Sequence, residues 1–317
     1  MIGKVAVVGS GYMGGGIAQV LALSGREVVL ADGSPEQAAR SRERIVREAA
    51  DFEERNLFPP GSGERIAAAV SAADSIEAAV ADADFVEEAV PELPEIKHQV
   101  LSRISAASRD DTIIGSNTST ISIGTLAESV TRPERFLGVH FSNPAPFIPG
   151  VEVIPHAATA PGVVPAVVEL LEQCGKTGVP IADVTGFVLN RLQYALFSEA
   201  ARLVDEGVAS AESVDRIART TFGFRLPFFG PFAIADMAGL DVYEFCYRSL
   251  HEAYPERFTA PAPLTSRVER GELGVKTGGG FLATPPESLP ELVAYRDEAY
   301  AAMSALLERL GPANVQY

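Results

Sequence analysis

The chain has 317 residues, of which 47% are hydrophobic and 21% charged, and its formal net charge at pH 7 is −16. This composition is typical of a soluble globular protein, and the length predicts two domains. The strong negative charge argues against general affinity for nucleic acid or for an anionic membrane surface, and no apolar run is long enough to span a bilayer. The N-terminus lacks the layout of a signal peptide, so we expect a cytoplasmic protein.

The first predicted elements are a strand, a glycine-rich turn and a helix. A run of β-branched and apolar residues at positions 5–8 predicts a buried parallel strand, and an Ala-rich apolar segment from residue 17 predicts a helix. Between them stand three glycines in GxGxxG spacing, which is the context of the dinucleotide fingerprint. Gly9 permits the tight turn, Gly11 lets the backbone approach a pyrophosphate, and Gly14 lets helix and strand pack closely. The helix N-terminus offers free N–H groups to the phosphates.

A second apolar run at residues 28–31 ends in Asp32. An acidic residue at the end of the second strand hydrogen-bonds the ribose 2′-hydroxyl of a dinucleotide and repels a 2′-phosphate. The sequence therefore predicts binding of NAD rather than NADP.

The following segments alternate between strand patterns and helical patterns as far as residue 181. This alternation predicts an α/β fold with a Rossmann-type, doubly wound and mostly parallel sheet. Beyond it we expect only helices, with single long helices at residues 187–206 and 234–254. The interpretation is an NAD-binding domain at residues 1–184 and an all-α substrate and dimerisation domain at residues 185–317. Helices of so small a domain need a further surface to cover their apolar faces, which predicts a homodimer.

Two titratable residues lie on consecutive predicted strands. His140 ends one strand, and Glu152 lies between two valines on the next. A loop that returns the chain would place Glu152, which needs a partner when buried, beside His140. Imidazole is well suited to proton transfer near neutral pH, and a carboxylate on its other nitrogen orients the ring and stabilises imidazolium. The spacing alone does not distinguish this pair from a histidine satisfied in the core or in a loop.

Polar residues at two other positions give further candidates. The run at residues 116–120 follows a strand, and it either lines a nicotinamide pocket or forms an ordinary helix N-cap. Asn190 stands early in an apolar helix, where its amide needs hydrogen-bond partners, and structural and functional roles are equally compatible with it. The His, Cys, Asp and Glu residues show no metal-ligand spacing, so no metal site is expected.

Taken in order, these motifs resemble the L-3-hydroxyacyl-CoA dehydrogenase family from Gly9 to about Phe281. The matching segments are Gly9-x-Gly11-x-Met13-Gly14-x-Gly16-Ile-Ala, Glu88-Ala-Val-Pro-Glu92, Ser116-Asn-Thr-Ser119, His140-Phe-x-Asn143-Pro, Val151-Glu152-Val-Ile, Gly186-Phe-Val-x-Asn190-Arg191, Gly230-Pro-Phe, Asp236-x-x-Gly239-Leu-Asp241 and Lys276-Thr-Gly-x-Gly280-Phe281. The resemblance implies an oxidoreductase that uses NAD to interconvert a 3-hydroxyacyl thioester, such as 3-hydroxybutyryl-CoA, and its 3-keto form.

The resemblance also implies roles for individual residues. His140 is then the general base, Glu152 is its partner, and Ser119 and Asn190 contact the reacting part of the substrate. The residues expected around NAD are Gly9, Gly11, Tyr12, Met13, Gly14, Asp32, Gln37, Glu92, Lys97, Asn117 and Asn143.

The segments expected to meet a CoA group depart from the family pattern. Residues 33–70 contain no lysine, Phe147-Ile-Pro-Gly150 lacks the lysine that usually precedes the motif glutamate, and Ser142 replaces an aromatic residue. Four arginines either supply positive charge instead or form a solvated helix face: Arg40, Arg42, Arg44 and Arg47. A CoA thioester is the first expectation. The alternatives are an acyl-carrier thioester, a small non-CoA alcohol or aldehyde related to carnitine, gulonate or a pyridoxine catabolite, and a non-catalytic NAD-binding protein.

Overall fold

The computed structural model describes residues 2–311. Met1 of the first predicted domain and residues 312–317 of the second lie outside the described residues. The described residues form two compact units, the first ending at Ala195 and the second beginning at Leu196.

The first unit is built on one sheet. Its eight strands are β1 (Lys4–Val8), β2 (Glu27–Ala31), β3 (Val70–Ala72), β4 (Phe85–Glu88), β5 (Ile113–Ser116), β6 (Phe136–Phe141), β7 (Gly150–Pro155) and β8 (Thr177–Pro180). They lie in the order β3-β2-β1-β4-β5-β6-β7-β8. Neighbouring strands are parallel except for the antiparallel pair β6 and β7. The predicted doubly wound, mostly parallel sheet is confirmed.

Helices cover both faces of this sheet, and each face has its own apolar core. The helices that begin in this unit are α1 (Tyr12–Leu23), α2 (Pro35–Glu54), α3 (Ser62–Ala69), α4 (Ile76–Val80), α5 (Pro94–Ala107), α6 (Ile123–Ala127), α7 (Val163–Gln173) and α8 (Leu189–Asp205). A 3-10 turn spans Pro133–Arg135. Because both faces of β1 are covered, its residues from Val5 to Val8 are completely buried, which explains the unbroken apolar run in the sequence.

The second unit is helical, as predicted. Its helices are α9 (Ala211–Thr220), α10 (Phe222–Arg225), α11 (Pro231–Ala238), α12 (Leu240–Ala253), α13 (Ala262–Glu269) and α14 (Leu289–Leu310), with 3-10 turns at Val275–Thr277 and Pro286–Ser288. The prediction of one helix over residues 234–254 is wrong, because Gly239 adopts a φ of 100° between α11 and α12. That conformation ends a right-handed helix, and glycine adopts it without steric cost.

None of the helices within residues 2–311 combines the length and the apolar character needed to cross a membrane.

Candidate active site

The glycine turn between β1 and α1 has the geometry of a dinucleotide site. Gly9 has a φ of 93°, and a Cβ there would lie 2.6 Å from backbone atoms of Ala89 and Val90. A Cβ at Gly14 would overlap the carbonyl oxygen of Gly9, whereas one at Gly11 would meet nothing within 4 Å. Helix α1 begins without a side-chain cap, which leaves its first N–H groups free for a phosphate. The turn therefore fits the cofactor that the sequence predicts.

Asp32 lies at the end of β2, beside this turn. Its Oδ2 accepts hydrogen bonds from the backbone N–H of Ser10 at 2.9 Å and from the Ser10 hydroxyl at 2.5 Å. Its Oδ1 accepts from the N–H of Gly33 at 2.7 Å. Ser10 is buried and was missed in the sequence. Its position between two glycines of the dinucleotide fingerprint could have indicated that Ser10 belongs to the site.

Three other residues expected around NAD lie near the ends of these elements. Tyr12 and Met13 open α1, and the Tyr12 side chain is exposed. Gln37 is exposed in the first turn of α2, where its N–H donates to the N-cap hydroxyl of Ser34 at 3.3 Å. These placements are compatible with the predicted contacts to NAD, which remain predictions.

The arginines of α2 do not share one role. Arg42 donates to the carbonyls of Ala67 and Val70, at 2.8 and 2.6 Å. Arg44 donates from Nη2 to the carbonyls of Ser10 and Gly11, at 2.9 and 3.1 Å, and its Nη1 pairs with Glu48 at 3.0 Å. The other two, Arg40 and Arg47, are exposed. A solvated face therefore does not describe Arg42 or Arg44, and the positive charge of Arg44 lies beside the dinucleotide turn.

His140 and Glu152 are directly opposite each other in the antiparallel register of β6 and β7. The Nδ1 atom of His140 lies 2.8 Å from Oε2 of Glu152, and only 6% and 13% of the two side chains are exposed. The other oxygen, Oε1, accepts the N–H groups of Val188 and Leu189 at 2.9 Å each. Glu152 is therefore held on one side by His140 and on the other by the N-terminal end of α8.

A left-handed turn before α8 aims those two N–H groups at Glu152. Gly186 and Phe187 both have positive φ, 77° and 48°. This conformation is unusual for a residue with a side chain. Phe187 is 1% exposed, and its ring centroid lies 5.7 Å from that of His140. Burial of this ring in the core beside His140 stabilises the turn. Phe187 belongs to a family motif, but its sequence position alone does not indicate this role.

Ser119 and Asn190 complete the cluster. The hydroxyl of Ser119 lies 3.1 Å from Nε2 of His140, and the amide of Asn190 donates to the carbonyl of Ser119 at 2.8 Å. The N–H of Phe141 donates to the side-chain oxygen of Asn117 at 2.8 Å, which ties the end of β5 to the end of β6. The structure thus brings together the four predicted catalytic residues.

These side chains open into a cleft of about 570 Å³. Its lining residues are Met13, Asn117, Ser119, His140, Phe141, Ser142, Asn143, Ile148, Leu189, Asn190 and Gln193. Three of the residues predicted to contact NAD thus share the cleft with the catalytic cluster, whereas Asp32 and Gln37 lie outside it. Gln193 is an additional polar residue of the cleft, which no sequence pattern indicated.

A buried charge cluster supports the segment that carries Ser119. Lys97 is completely buried, and its Nζ lies 2.9 Å from Glu88 and 3.4 Å from Glu92. One oxygen of Glu92 accepts the Thr118 hydroxyl at 2.7 Å and the Ser119 N–H at 2.8 Å. Burial raises the pKa of Glu92, but the Thr118 hydrogen bond and the charge of Lys97 outweigh this and lower it. Glu92 and Lys97 therefore fix the Ser119 loop, and their predicted contact with NAD remains a prediction.

No group of His, Cys, Asp or Glu side chains suited to a metal ion occurs within the described part of the chain.

Comparisons with known proteins identify the same family over most of the chain. The model of the 3-hydroxyacyl-CoA dehydrogenase NAD-binding domain matches residues 4–184, and that of the 3-hydroxyacyl-CoA dehydrogenase C-terminal domain matches residues 186–284. A 3-hydroxybutyryl-CoA dehydrogenase of Bradyrhizobium diazoefficiens is 35% identical, and the match covers 89% of this chain and 95% of that protein. A 5-formyl-3-hydroxy-2-methylpyridine 4-carboxylate 5-dehydrogenase of Mesorhizobium japonicum is also 35% identical, with coverage of 97% and 99%.

A solved structure shows the same relationship. The 3-hydroxyacyl-CoA dehydrogenase of Archaeoglobus fulgidus superimposes with a TM-score of 0.78 at 33% identity, covering 98% of this chain and 99% of that one. Together with the dinucleotide turn, these matches show that the chain belongs to the 3-hydroxyacyl-CoA dehydrogenase family of NAD-dependent oxidoreductases.

Proposed function

We propose that the protein interconverts a 3-hydroxyacyl thioester and its 3-keto form, with a CoA thioester such as 3-hydroxybutyryl-CoA as substrate. The observation that carries this proposal is the continuous chain of hydrogen bonds from Ser119 through His140 to Glu152, which opens into the cleft. NAD, when bound, supplies the hydride acceptor for oxidation. The residues that would hold it are the glycine turn and Asp32 at one end and Met13, Asn117 and Asn143 in the cleft.

The geometry of His140 determines which ring nitrogen accepts the proton of the substrate. In the neutral ring, Nδ1 carries the proton and its N–H donates a hydrogen bond to the carboxylate of Glu152, so the lone pair of Nε2 faces Ser119 and the cleft. Nε2 then takes the proton of the substrate hydroxyl, and the carboxylate of Glu152 stabilises the imidazolium that results. Ser119 and Asn190 hold the oxygen that becomes the carbonyl. General base catalysis of this kind contributes about 10²–10⁴-fold.

A small non-CoA substrate is the second candidate. The Mesorhizobium relative, a pyridine-carboxylate dehydrogenase, matches 97% of the chain, whereas the Bradyrhizobium 3-hydroxybutyryl-CoA dehydrogenase matches 89%. The absence of lysine from residues 33–70 also favours a substrate without CoA phosphates. An acyl-carrier thioester is a further alternative, and the complete His140–Glu152 cluster argues against a non-catalytic NAD-binding protein.

We also propose a cytoplasmic homodimer with domains at residues 1–184 and 185–317. The second unit exposes large apolar side chains, among them Phe197 at 67%, Phe245 at 64% and Ile217 at 62%, which supports association with a second copy. Sedimentation velocity tests the dimer, and a monomer at micromolar concentration would refute it.

The substrate is tested by following NADH formation and consumption with a small panel. The panel holds acetoacetyl-CoA, (S)-3-hydroxybutyryl-CoA, the free acid, carnitine, gulonate and the pyridine substrate of the Mesorhizobium relative. Turnover of the thioesters alone supports the first candidate. Turnover of a free alcohol or aldehyde, with none of the thioesters, supports the second and overturns the first.

A further inference from the structure

Lys176 is a buried lysine whose three donors all point to one loop. The residue precedes β8 and is 7% exposed. Its Nζ donates to the carbonyls of Ala145 at 2.6 Å, Pro146 at 3.1 Å and Ile148 at 2.8 Å. An ammonium group has three N–H donors and no acceptor, so these three carbonyls satisfy it completely. Burial lowers the pKa of Lys176, which shows that the charge is placed here at a cost.

The loop that Lys176 holds joins the two strands of the catalytic pair. Residues 142–149 connect β6, which carries His140, to β7, which carries Glu152. The loop contributes Ser142, Asn143 and Ile148 to the cleft. Three carbonyl oxygens that converge on one point repel one another, and a cation at that point removes the repulsion. Lys176 thus adds to the hydrogen bonds from the N–H groups of Phe147 and Ile148 to the carbonyl of Pro144, and together they hold the conformation that presents Asn143 and Ile148 to the cleft.

We propose that Lys176 is a positioning residue, which holds the loop at residues 142–149 so that the cleft binds its ligands tightly. The inference rests on the proposed function only where it concerns binding of the substrate. The effect of Lys176 on NADH binding is measurable without any substrate. Lys176 lies outside the His140–Glu152–Ser119 chain of hydrogen bonds, so proton transfer itself does not depend on it. We therefore expect that loss of the Lys176 ammonium group weakens the binding of NADH and substrate and changes kcat little.

The experiment replaces Lys176 by methionine, which keeps the length of the side chain and removes all three donors. In Lys176→Met we expect the Kd of NADH and the KM of the substrate to rise by about 10- to 100-fold, which is the size of effect expected from the loss of one or a few hydrogen bonds between the displaced loop and its ligands. We expect kcat to stay within about threefold, which is the signature of lost binding that is uniform between ground and transition states. A general loss of folded protein would lower the active fraction and would leave the Kd of NADH unchanged.

Cys174→Ala is the matched control. Cys174 lines the same surface cavity as Lys176 and Pro146, but its sulfur contacts Ser24 rather than the loop. This variant should bind NADH as the wild type does. A Lys176→Met protein that is folded and has wild-type Kd and KM would overturn the proposal.

A second variant carries the test if Lys176→Met does not fold. Lys176→Arg keeps the charge, but a planar guanidinium does not direct three donors to one cluster of carbonyls as an ammonium does. We expect an intermediate rise in the Kd of NADH, and a wild-type value would overturn the proposal. If the wild type turns over none of the panel while Lys176→Met still binds NADH more weakly, the proposed substrate fails and the positioning role stands.

Discussion

Replacement of Glu152 by glutamine tests the role of the carboxylate in catalysis. In the wild type, Oε2 faces Nδ1 of His140 and Oε1 accepts the N–H groups of Val188 and Leu189. The glutamine oxygen can keep the two backbone hydrogen bonds, which turns its NH₂ group toward Nδ1. The ring must then accept at Nδ1 and carry its proton on Nε2, the atom that has to take the substrate proton.

The magnitude follows from the geometry of the ion pair. Glu152 and the imidazolium form of His140 are close and nearly buried, with 13% and 6% of their side chains exposed, so water screens them little. Two unit charges about 4 Å apart attract by about 4 kcal/mol at an effective dielectric constant of about 20. Because about 1.4 kcal/mol corresponds to a factor of ten in rate, loss of this charge lowers kcat by about 10³-fold. The tautomer of His140 that carries its proton on Nε2 lowers kcat further.

The assay compares kcat by NADH formation with the Kd of NADH by titration. We expect Glu152→Gln to lose about 10³-fold in kcat while its Kd for NADH stays within about threefold, because the dinucleotide turn is untouched. Glu172→Gln, an exposed position on α7, serves as the control and should behave as the wild type. A kcat for Glu152→Gln within about tenfold of the wild type would show that the charge of Glu152 does not stabilise the transition state.

Three further predictions concern the nucleotide-binding sheet. Asp32→Ala removes the ribose acceptor and leaves Ser10 without its partner. The ratio of kcat/KM for NAD to that for NADP should therefore fall by about tenfold or more, and an unchanged ratio would show that another residue selects the cofactor. Gly14→Ala places a Cβ against the Gly9 carbonyl, so NADH titration should show no binding, and wild-type affinity would contradict the packing argument. Glu87 is buried with both carboxylate oxygens unpaired, and burial, together with the charge of Glu88, raises its pKa well above the usual range. The folded state then keeps a proton that the unfolded state has lost, so this residue lowers stability as pH rises, by up to about 1.4 kcal/mol per pH unit. The free energy of unfolding, measured with urea between about pH 5 and pH 8, should depend less on pH in Glu87→Gln than in the wild type. An equal pH dependence of the two proteins would contradict the raised pKa of Glu87.

The sequence was sufficient where local pattern and topology together determine the geometry. The glycine turn and Asp32 follow from a strand, a turn and a helix that are contiguous in the chain. The His140–Glu152 pair follows from a single hairpin, because antiparallel register places the two residues opposite each other. The doubly wound sheet follows in the same way from alternating strand and helix patterns.

The sequence was insufficient where a side chain binds backbone far away in the chain. Nothing in the local pattern of Lys176 or Arg44 shows that each satisfies carbonyl groups of a distant turn. The break at Gly239 was missed because a single glycine is often tolerated inside a helix, and only the positive φ shows that the helix ends. Strand β3 is three residues long, which is too short to give an alternating pattern.

Proton transfer by His140 is tested by the rate of NADH formation from (S)-3-hydroxybutyryl-CoA by the wild type and by His140→Gln, with the Kd of NADH measured for both. We expect turnover by the wild type, a loss of about 10²–10⁴-fold in kcat for the variant, and equal NADH binding by the two proteins. Equal turnover by the two proteins would show that His140 is not the general base and would contradict the mechanism.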